Sequence, residues 1–215
     1  MSIENLILIP TAFESDIIAS QLDHLAQTHE FVFRHCGFGP IAAAAVATEA
    51  ILAYQPKRVV LLGIAGAYQT NENDLAVGEA YRFGSVAIDG IGVGAGAEFQ
   101  SASDLGWPHF SGEDRRPAIN DRIELATKSP HHLLTVCAAS ATSDQAQRRQ
   151  KRYGVSAEDM EGFAVAMACR LQNIPLEIIR GISNVAGDRD KSNWRVADAM
   201  GAAAEELGVV LGESA

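Results

Sequence analysis

The sequence is poor in cysteine and has no pattern that would pair or activate its thiols. Only three cysteines occur in 215 residues, and Cys36, Cys137 and Cys169 lie far apart, each in an apolar segment and without CxxC spacing. An odd number of such residues is typical of buried, reduced thiols. We therefore expect a cytoplasmic protein without a disulfide framework, and nothing in the sequence supports a nucleophilic cysteine.

Long apolar runs and basic clusters are also missing. No apolar run reaches the roughly 20 residues that a membrane-spanning helix needs, and the start, MSIENLILIP, is too short and too acidic for a signal peptide. Lysine and arginine number 17 against 27 aspartates and glutamates, which gives a net charge of −10. The short basic run RRQKR, residues 148–152, is typical of a solvated helix face. We therefore expect neither a membrane nor a nucleic acid as a partner.

Metal, phosphate and nucleophile motifs are absent as well. There is no HExxH, no cluster of histidines and no paired CxxC, so the sequence predicts no metal site. GFGPIA lacks the third glycine of a dinucleotide loop, and neither GxxxxGK[ST] nor GxSxG occurs. These absences argue against the common classes of nucleotide-cofactor enzyme and against a serine hydrolase with a nucleophile elbow. We expect no cofactor.

What the sequence does contain is an alternation of short apolar runs and helical patterns. RVVLLGIAGAY, residues 58–68, predicts a strand buried on both faces, and residues 13–27 have the apolar spacing of a helix. We expect 79–94 to form one long bent strand and 156–175 to form one helix. This alternation predicts a three-layer α/β fold, with a central mixed, mostly parallel sheet flanked by helices. Residues 1–215 are expected to form a single domain.

Three polar residues stand out near the strand ends, where open α/β sheets bind ligands. Glu14 follows the first strand, Glu161 opens an apolar helix, and Asn184 follows the last strand. Each also has a structural explanation. A first-turn glutamate is favoured by the helix dipole, Ser156 and Asp159 could form a capping box before Glu161, and asparagine often forms Asx turns. Taken singly, Glu14 and Asn184 are interpreted as structural, and Glu161 fits function and capping equally well.

Five segments in this order, PTxxE, GxG, GIAGAY, xMEGxAVA and RGISN, resemble the purine nucleoside phosphorylase/hydrolase superfamily, specifically its hydrolytic nucleosidases. The resemblance runs from Ile7 to about Ala199. LGIAGAY, together with Asn184 and GDRDKSNW, is similar to the futalosine hydrolases in particular. The resemblance implies a homodimeric N-glycosyl hydrolase that releases hypoxanthine from futalosine in menaquinone biosynthesis. Methylthioadenosine/S-adenosylhomocysteine nucleosidases and purine nucleoside phosphorylases are the alternatives.

The resemblance also implies roles for single residues near the sugar. Glu14 matches the glutamate that activates the attacking water, and Glu161 matches the one that binds the ribose hydroxyls. Met160 would pack against the sugar. Gly37 and Gly39 fall in the loop that borders the ribose site.

The residue implied at the purine is unusual. Asn184 matches the purine-contacting position, held after Ser183 and Arg180, where adenine-specific relatives have an aspartic acid. An amide has both a donor and an acceptor, so it can donate to a 6-oxo group and accept from a protonated N7. Asn184 therefore predicts a 6-oxopurine.

The sequence does not define what binds the group on the 5′ carbon. The irregular segment 95–117 contains Phe99, Trp107 and Phe110, which are candidates for an aromatic wall. Trp194, after the last strand, is a second candidate.

Water is the expected nucleophile. A phosphorylase needs a cationic phosphate pocket, but the first strand ends in PTAFES, without an arginine or a Gly-Asp-Pro turn. This is a local argument only, since the sequence does not place Arg34, Arg58 and Arg82.

Overall fold

The computed structural model describes residues 2–69, 75–113 and 116–213, and its main feature is a nine-stranded sheet. The strands of this sheet are β1 (Asn5–Ile9), β2 (Phe31–His35), β3 (Arg58–Ala67), β4 (Ala80–Arg82), β5 (Ser85–Ile88), β8 (Arg122–Glu124), β9 (His132–Thr135), β10 (Ala157–Asp159) and β11 (Leu176–Val185). Two short strands, β6 (Gly92–Val93) and β7 (Gln100–Ser101), form a separate antiparallel pair.

The long strand β3 organises the sheet. On one edge it pairs in parallel with β1 and, further along, antiparallel with β10; on its other edge it pairs in parallel with β11. Beyond β1 lies β2, beyond β10 follow β9, β5 and β8, and beyond β11 lies β4. Parallel pairs outnumber antiparallel ones among the described strands. The predicted mixed, mostly parallel sheet is confirmed.

Helices cover both faces of this sheet, as the two-sided apolar strands predict. They are α1 (Ala12–Ile17), α2 (Ala19–Leu25), α3 (Pro40–Tyr54), α4 (Ser143–Tyr153), α5 (Gly162–Gln172) and α6 (Val196–Gly212). Because side chains alternate along a strand, Leu6 and Leu8 of β1 pack in the cluster that contains α3 and α5 residues. Ile7 and Ile9 pack on the opposite face, in the cluster with α6.

Three predicted elements are interrupted. The helix predicted over 13–27 divides at Ile18, whose backbone angles (φ −109°, ψ 17°) are not helical. The strand predicted over 79–94 divides into β4, β5 and β6, partly because Gly90 has a φ of +96°. The helix predicted over 156–175 is wrong in its first part, since β10 precedes α5 and pairs with both β3 and β9.

The cysteines are free, and two of them are buried as predicted. Cys36 and Cys169 are buried, whereas Cys137 is exposed because it lies in the loop after β9. Within the described residues, no helix has the length and apolar character needed to cross a bilayer.

Candidate active site

The three polar residues singled out in the sequence line one cavity. It has a volume of about 520 Å³ and lies where β1, β3 and β11 reach their carboxyl ends and β10 runs beside β3. Glu14, Glu161 and Asn184 all contribute to its wall. The fold therefore brings these three side chains to one cavity.

Glu14 is not the exposed first-turn residue that its position allows. It is only 4% exposed, and it forms a capping box with Thr11, whose N–H and hydroxyl donate to Glu14 Oε2 at 3.1 and 2.6 Å. The backbone N–H of Ile64 donates to Oε1 at 3.1 Å. The end of β1 and the end of β3 thus fix this carboxylate at the cavity wall.

Glu161 is held by a loop and by a buried arginine. The Gly39 N–H donates to Glu161 Oε1 at 3.0 Å, and Arg180 Nη2 donates to Oε2 at 3.3 Å. Gly39 has a φ of +82°, a conformation that glycine adopts without strain. This loop is therefore shaped to aim a backbone donor at Glu161.

Arg180 contacts carboxylates and not Asn184, with which the sequence associated it. Its Nε and Nη2 donate to Asp159 Oδ2 at 3.1 and 2.5 Å, and the side chain is completely buried. Asp159 also accepts from the Gly162 N–H at 2.8 Å, at the start of α5. The capping box predicted from Ser156 and Asp159 does not form, because Ser156 lies before β10 and its hydroxyl accepts instead from the N–H of His132.

We call Glu14, Asp159, Glu161 and Arg180 the carboxylate cluster. It has three acidic side chains and one cation, so it is not charge-balanced. Burial raises the pKa of Glu161 to about 7, and the charges of Asp159 and Glu14 add to the rise, while Arg180 and the Gly39 N–H oppose it. Glu161 can therefore exchange a proton near neutral pH.

Gly63 on β3 makes room for this cluster. A Cβ atom at this position would lie 2.2 Å from Arg180 Nη1 and 2.8 Å from Glu14 Oε1. Arg180 Nη1 is buried without a hydrogen-bond partner among the described residues. The missing side chain of Gly63 is thus what allows a guanidinium and a carboxylate to approach the same point of β3.

Asn184 lies inside β11, at a register shift between Ile182 and Asn184, and not in an Asx turn. Ser183 Oγ donates to its Oδ1 at 2.8 Å, and its Nδ2 donates to the Val185 carbonyl at 2.8 Å. The Val185 carbonyl can only accept, so it fixes which side of the amide is the donor. One N–H and one oxygen lone pair remain for a ligand.

A further buried acid of the wall, Glu158, has no counterpart among the predicted residues. Glu158 on β10 is 5% exposed and lines the cavity. Its partners are the Ser140 backbone and hydroxyl, the Tyr68 hydroxyl and Arg149 Nη1. We call Gly66, Glu158, Ser183 and Asn184 the amide site.

Arg149 corrects the interpretation of the basic run as a solvated face. Its side chain is only 13% exposed and pairs with Asp89 at 2.9 Å and with Glu158 at 3.4 Å. Arg148 and Arg152 of the same run are exposed. The prediction therefore holds for part of the run only.

The remaining candidates divide between the wall and other places. Met160 and Trp194 line the cavity, as does Phe38 between the two loop glycines. Phe99, Trp107 and Phe110 do not line it. Trp107 is 74% exposed, Phe110 packs against the main core, and the Arg152 guanidinium lies 5.1 Å from the Phe99 ring centre.

The three arginines that the sequence left unplaced lie outside the cavity wall. Arg58 donates to Asn5, Arg82 pairs with Glu177, and Arg34 lies over the Tyr54 ring. In the part of the chain that the structure describes, no group of three or more histidine, cysteine, aspartate or glutamate side chains could hold a metal ion. The wall offers buried carboxylates, an oriented amide and apolar surface, which suit proton transfer and the binding of a polar, planar molecule.

A family model of the phosphorylase superfamily matches residues 24–214. The chain belongs to this superfamily. The predicted family is confirmed by this match, which includes Glu161 and Asn184 of the cavity wall but not Glu14.

Similar proteins within the superfamily are nucleosidases of two kinds. The futalosine hydrolase of Thermus thermophilus is 30% identical over 193 residues, covering 85% of this chain and 82% of the relative. A 5′-methylthioadenosine/S-adenosylhomocysteine nucleosidase of Bacillus cytotoxicus is 27% identical over 169 residues, covering 74% of this chain and 70% of the relative. The native structure of futalosine hydrolase from Helicobacter pylori has the same fold, with a TM-score of 0.73 at 14% identity over 98% of both chains. The predicted class, an N-glycosyl hydrolase, is confirmed.

Proposed function

We propose that this nucleosidase hydrolyses the N-glycosidic bond of a 6-oxopurine nucleoside, with futalosine as substrate and hypoxanthine as the released base. The oriented amide of Asn184 is the observation that carries the choice of purine. The similarity to a futalosine hydrolase supports the same substrate, and the similarity to a methylthioadenosine nucleosidase makes adenine nucleosides the competing candidate.

In this proposal the carboxylate cluster performs the chemistry on the sugar. Breaking the glycosidic bond builds positive charge on the ribose, which buried carboxylates stabilise. Glu14 would take a proton from the attacking water, because its carboxylate is fixed at the wall by Thr11 and Ile64. Glu161 would accept hydrogen bonds from the ribose hydroxyls, with Met160 beside the sugar.

Asn184 would contact the departing base. The electron pair of the broken N9–C1′ bond goes to the base, which takes a proton from solvent water at N7. The free N–H of Asn184 can donate to the 6-oxo group, and its free lone pair can accept from this N7–H. Ser183 holds this orientation by donating to Oδ1. An ionised aspartate at this position would repel the 6-oxo oxygen, and a site built around such hydrogen bonds rejects mismatched analogues strongly.

Water is the proposed nucleophile, not phosphate. The arginine of the carboxylate cluster is already paired with Asp159 and Glu161. Arg34, Arg58 and Arg82 lie outside the wall, and Arg189 at the wall lies beside the Trp194 ring, 5.2 Å from its centre. Glu14 would moreover repel an anion bound at the end of β1.

Hypoxanthine release from futalosine in phosphate-free buffer tests this function. We expect turnover without phosphate, no increase when phosphate is added, and a free hydroxyl on the anomeric carbon of the sugar product. A sugar 1-phosphate, or strict dependence on phosphate, would overturn hydrolysis. The Glu177→Gln variant is a matched control, since Glu177 is a half-buried, ion-paired glutamate outside the cavity wall.

We also propose that the active form is a homodimer. Phe13 and Phe38 line the cavity but are 64% and 67% exposed, and Ile41, three residues beyond Phe38, is 87% exposed. Apolar side chains grouped at the rim of a cavity are typical of a surface that another subunit covers. Light scattering should give twice the chain mass, and replacement of Ile41 by lysine should reduce it to one chain mass.

A further inference from the structure

We propose that Glu158 is a second base-recognition residue, which accepts a hydrogen bond from the N1–H group of a 6-oxopurine. The proposal rests on the proposed function, because it takes the purine to lie beside Asn184. It assigns a ligand contact to a side chain that the motifs of the sequence did not single out.

The register of the sheet places Glu158 and Asn184 on either side of one glycine. Glu158 on β10 pairs with Gly66 of β3, and Asn184 on β11 pairs with the same Gly66 from the other edge. Paired residues on adjacent strands project from the same face of a sheet. Gly66 has no side chain, so it leaves a gap between the two polar groups, and all three residues line the cavity.

The carboxylate of Glu158 is oriented by donors and keeps acceptor capacity. Oε2 accepts from the hydroxyls of Ser140 and Tyr68, both at 2.7 Å, and from Arg149 at 3.4 Å. Oε1 accepts only from the Ser140 N–H, at 2.6 Å, among the described residues. A carboxylate oxygen has two lone-pair sites, so Oε1 can accept one further hydrogen bond.

Its surroundings make Glu158 an acceptor and not a donor. All four protein contacts are donors, and Arg149 adds a positive charge. Burial and the neighbouring charge of Glu158 raise the pKa of Tyr68, so this hydroxyl remains protonated and continues to donate. The side chain thus presents a fixed negative oxygen to the cavity.

A fixed acceptor at this position distinguishes the two purine classes. With Asn184 at the N7 and O6 edge, the next polar atom around the ring is N1. In a 6-oxopurine N1 carries a hydrogen and donates to Glu158, whereas in a 6-aminopurine N1 has a lone pair that the carboxylate repels. Asn184, at the N7 and O6 edge, and Glu158, at N1, would therefore both select a 6-oxopurine over a 6-aminopurine.

The Glu158→Gln variant tests this role with two substrates that differ only at C6, futalosine and its 6-amino counterpart. Three of the four donors act on Oε2, so the amide oxygen would take that position. The NH₂ group would take the position of Oε1, where it also meets the Ser140 N–H whichever substrate is bound. It would then donate to N1 of the 6-aminopurine and oppose N1–H. We expect the ratio of kcat/KM, 6-oxo over 6-amino, to fall at least about tenfold, as the loss of one charge-assisted hydrogen bond implies.

This ratio of kcat/KM values separates a role in recognition from structural damage, because damage to the fold lowers kcat/KM for both substrates alike. An unchanged ratio, or an equal loss on both substrates, would overturn the role of Glu158 and leave the proposed function standing. A wild-type enzyme that prefers the 6-amino substrate would overturn the proposed function itself. Glu177→Gln, outside the wall, should leave the ratio unchanged.

A crystal structure of the wild-type protein with hypoxanthine gives a test that does not depend on how the variant folds. We expect N1 within about 3.2 Å of a Glu158 oxygen, the usual limit for such a bond. A base that binds beside Asn184 with N1 facing another group would overturn the proposal.

Discussion

The carboxylate cluster and the amide site differ in how their charges are matched. The cluster places three acids around Arg180, and its imbalance raises the pKa of Glu161. In the amide site the one acid, Glu158, meets four donors, and Asn184 is neutral with an amide fixed on both sides. An unbalanced group can change protonation during a reaction, whereas a matched one is suited to hold a fixed pattern of donors and acceptors.

The two regions are built on opposite faces of β3. Arg180 pairs with Gly63 and Asn184 pairs with Gly66, and residues three apart on a strand project to opposite sides. Each region therefore has a glycine of its own that gives it room. This arrangement predicts that substitutions in the cluster lower the rate for any purine, while substitutions in the amide site change the choice of purine.

The largest expected effect is in the carboxylate cluster. Glu14→Gln and Glu161→Gln should each lower kcat/KM on futalosine by about 10²–10⁴-fold, the usual range for loss of a general base or an electrostatic partner. The loss should be similar for inosine, because neither residue is assigned to the base. Steady-state kinetics, with circular dichroism to confirm folding, checks this. Near-normal kcat in either variant would remove its assigned role.

A smaller and selective effect is expected in the amide site. Asn184→Asp should lower kcat/KM on futalosine by roughly 10–100-fold, because an ionised carboxylate would face the 6-oxo oxygen. The kcat/KM for cleavage of an adenine nucleoside should fall less than this, or should rise. If this variant lowered kcat/KM equally for both substrates, the distinction between the two regions would be wrong.

The smallest effect is a pH dependence that comes from Glu161. Its pKa is raised from 4.5 to about 7, and only the ionised form accepts from two ribose hydroxyls, so kcat/KM should rise as the pH increases through 7. Stability should change in the opposite direction. Because the folded state retains this proton, the contribution of Glu161 to stability is full below pH 4.5 and is lost as the pH rises through 7.

Rate profiles and melting temperatures from about pH 5 to about pH 8.5, on both sides of the raised pKa of Glu161, measure both trends. Glu161→Gln cannot titrate and should flatten this part of the stability profile. A wild-type kcat/KM that is constant across pH 7 would contradict the predicted dependence of the rate on Glu161 ionisation.

The sequence was sufficient to predict the sheet and the carboxylates that follow strand ends. Glu14 lies four residues beyond the proline that closes the first strand, and strand ends of a parallel sheet meet at one edge, so local patterns located the cavity. The antiparallel pairing of β10 with β3 is not a local property. With residues 156–161 taken as helical, the alternation that sends Glu158 and Asp159 to opposite faces could not be recognised.

The partners of Glu158 could not be predicted from local sequence patterns either. Tyr68, Ser140 and Arg149 come from three separate segments that meet only in the folded chain. Arg149 occurs in a basic run that resembles a solvated surface, and its inward position depends on Asp89 and Glu158. A strand assignment at β10 was the signal that could have identified this acid.

The central claim is that the amide site selects a 6-oxopurine, and a purine-release assay tests it most directly. Futalosine, inosine and methylthioadenosine would be incubated side by side with the wild-type protein, and the released base would be measured for each. We predict that hypoxanthine release from futalosine has the highest kcat/KM and that adenine release from methylthioadenosine is slower by at least about 100-fold. Faster release of adenine than of hypoxanthine would contradict the account.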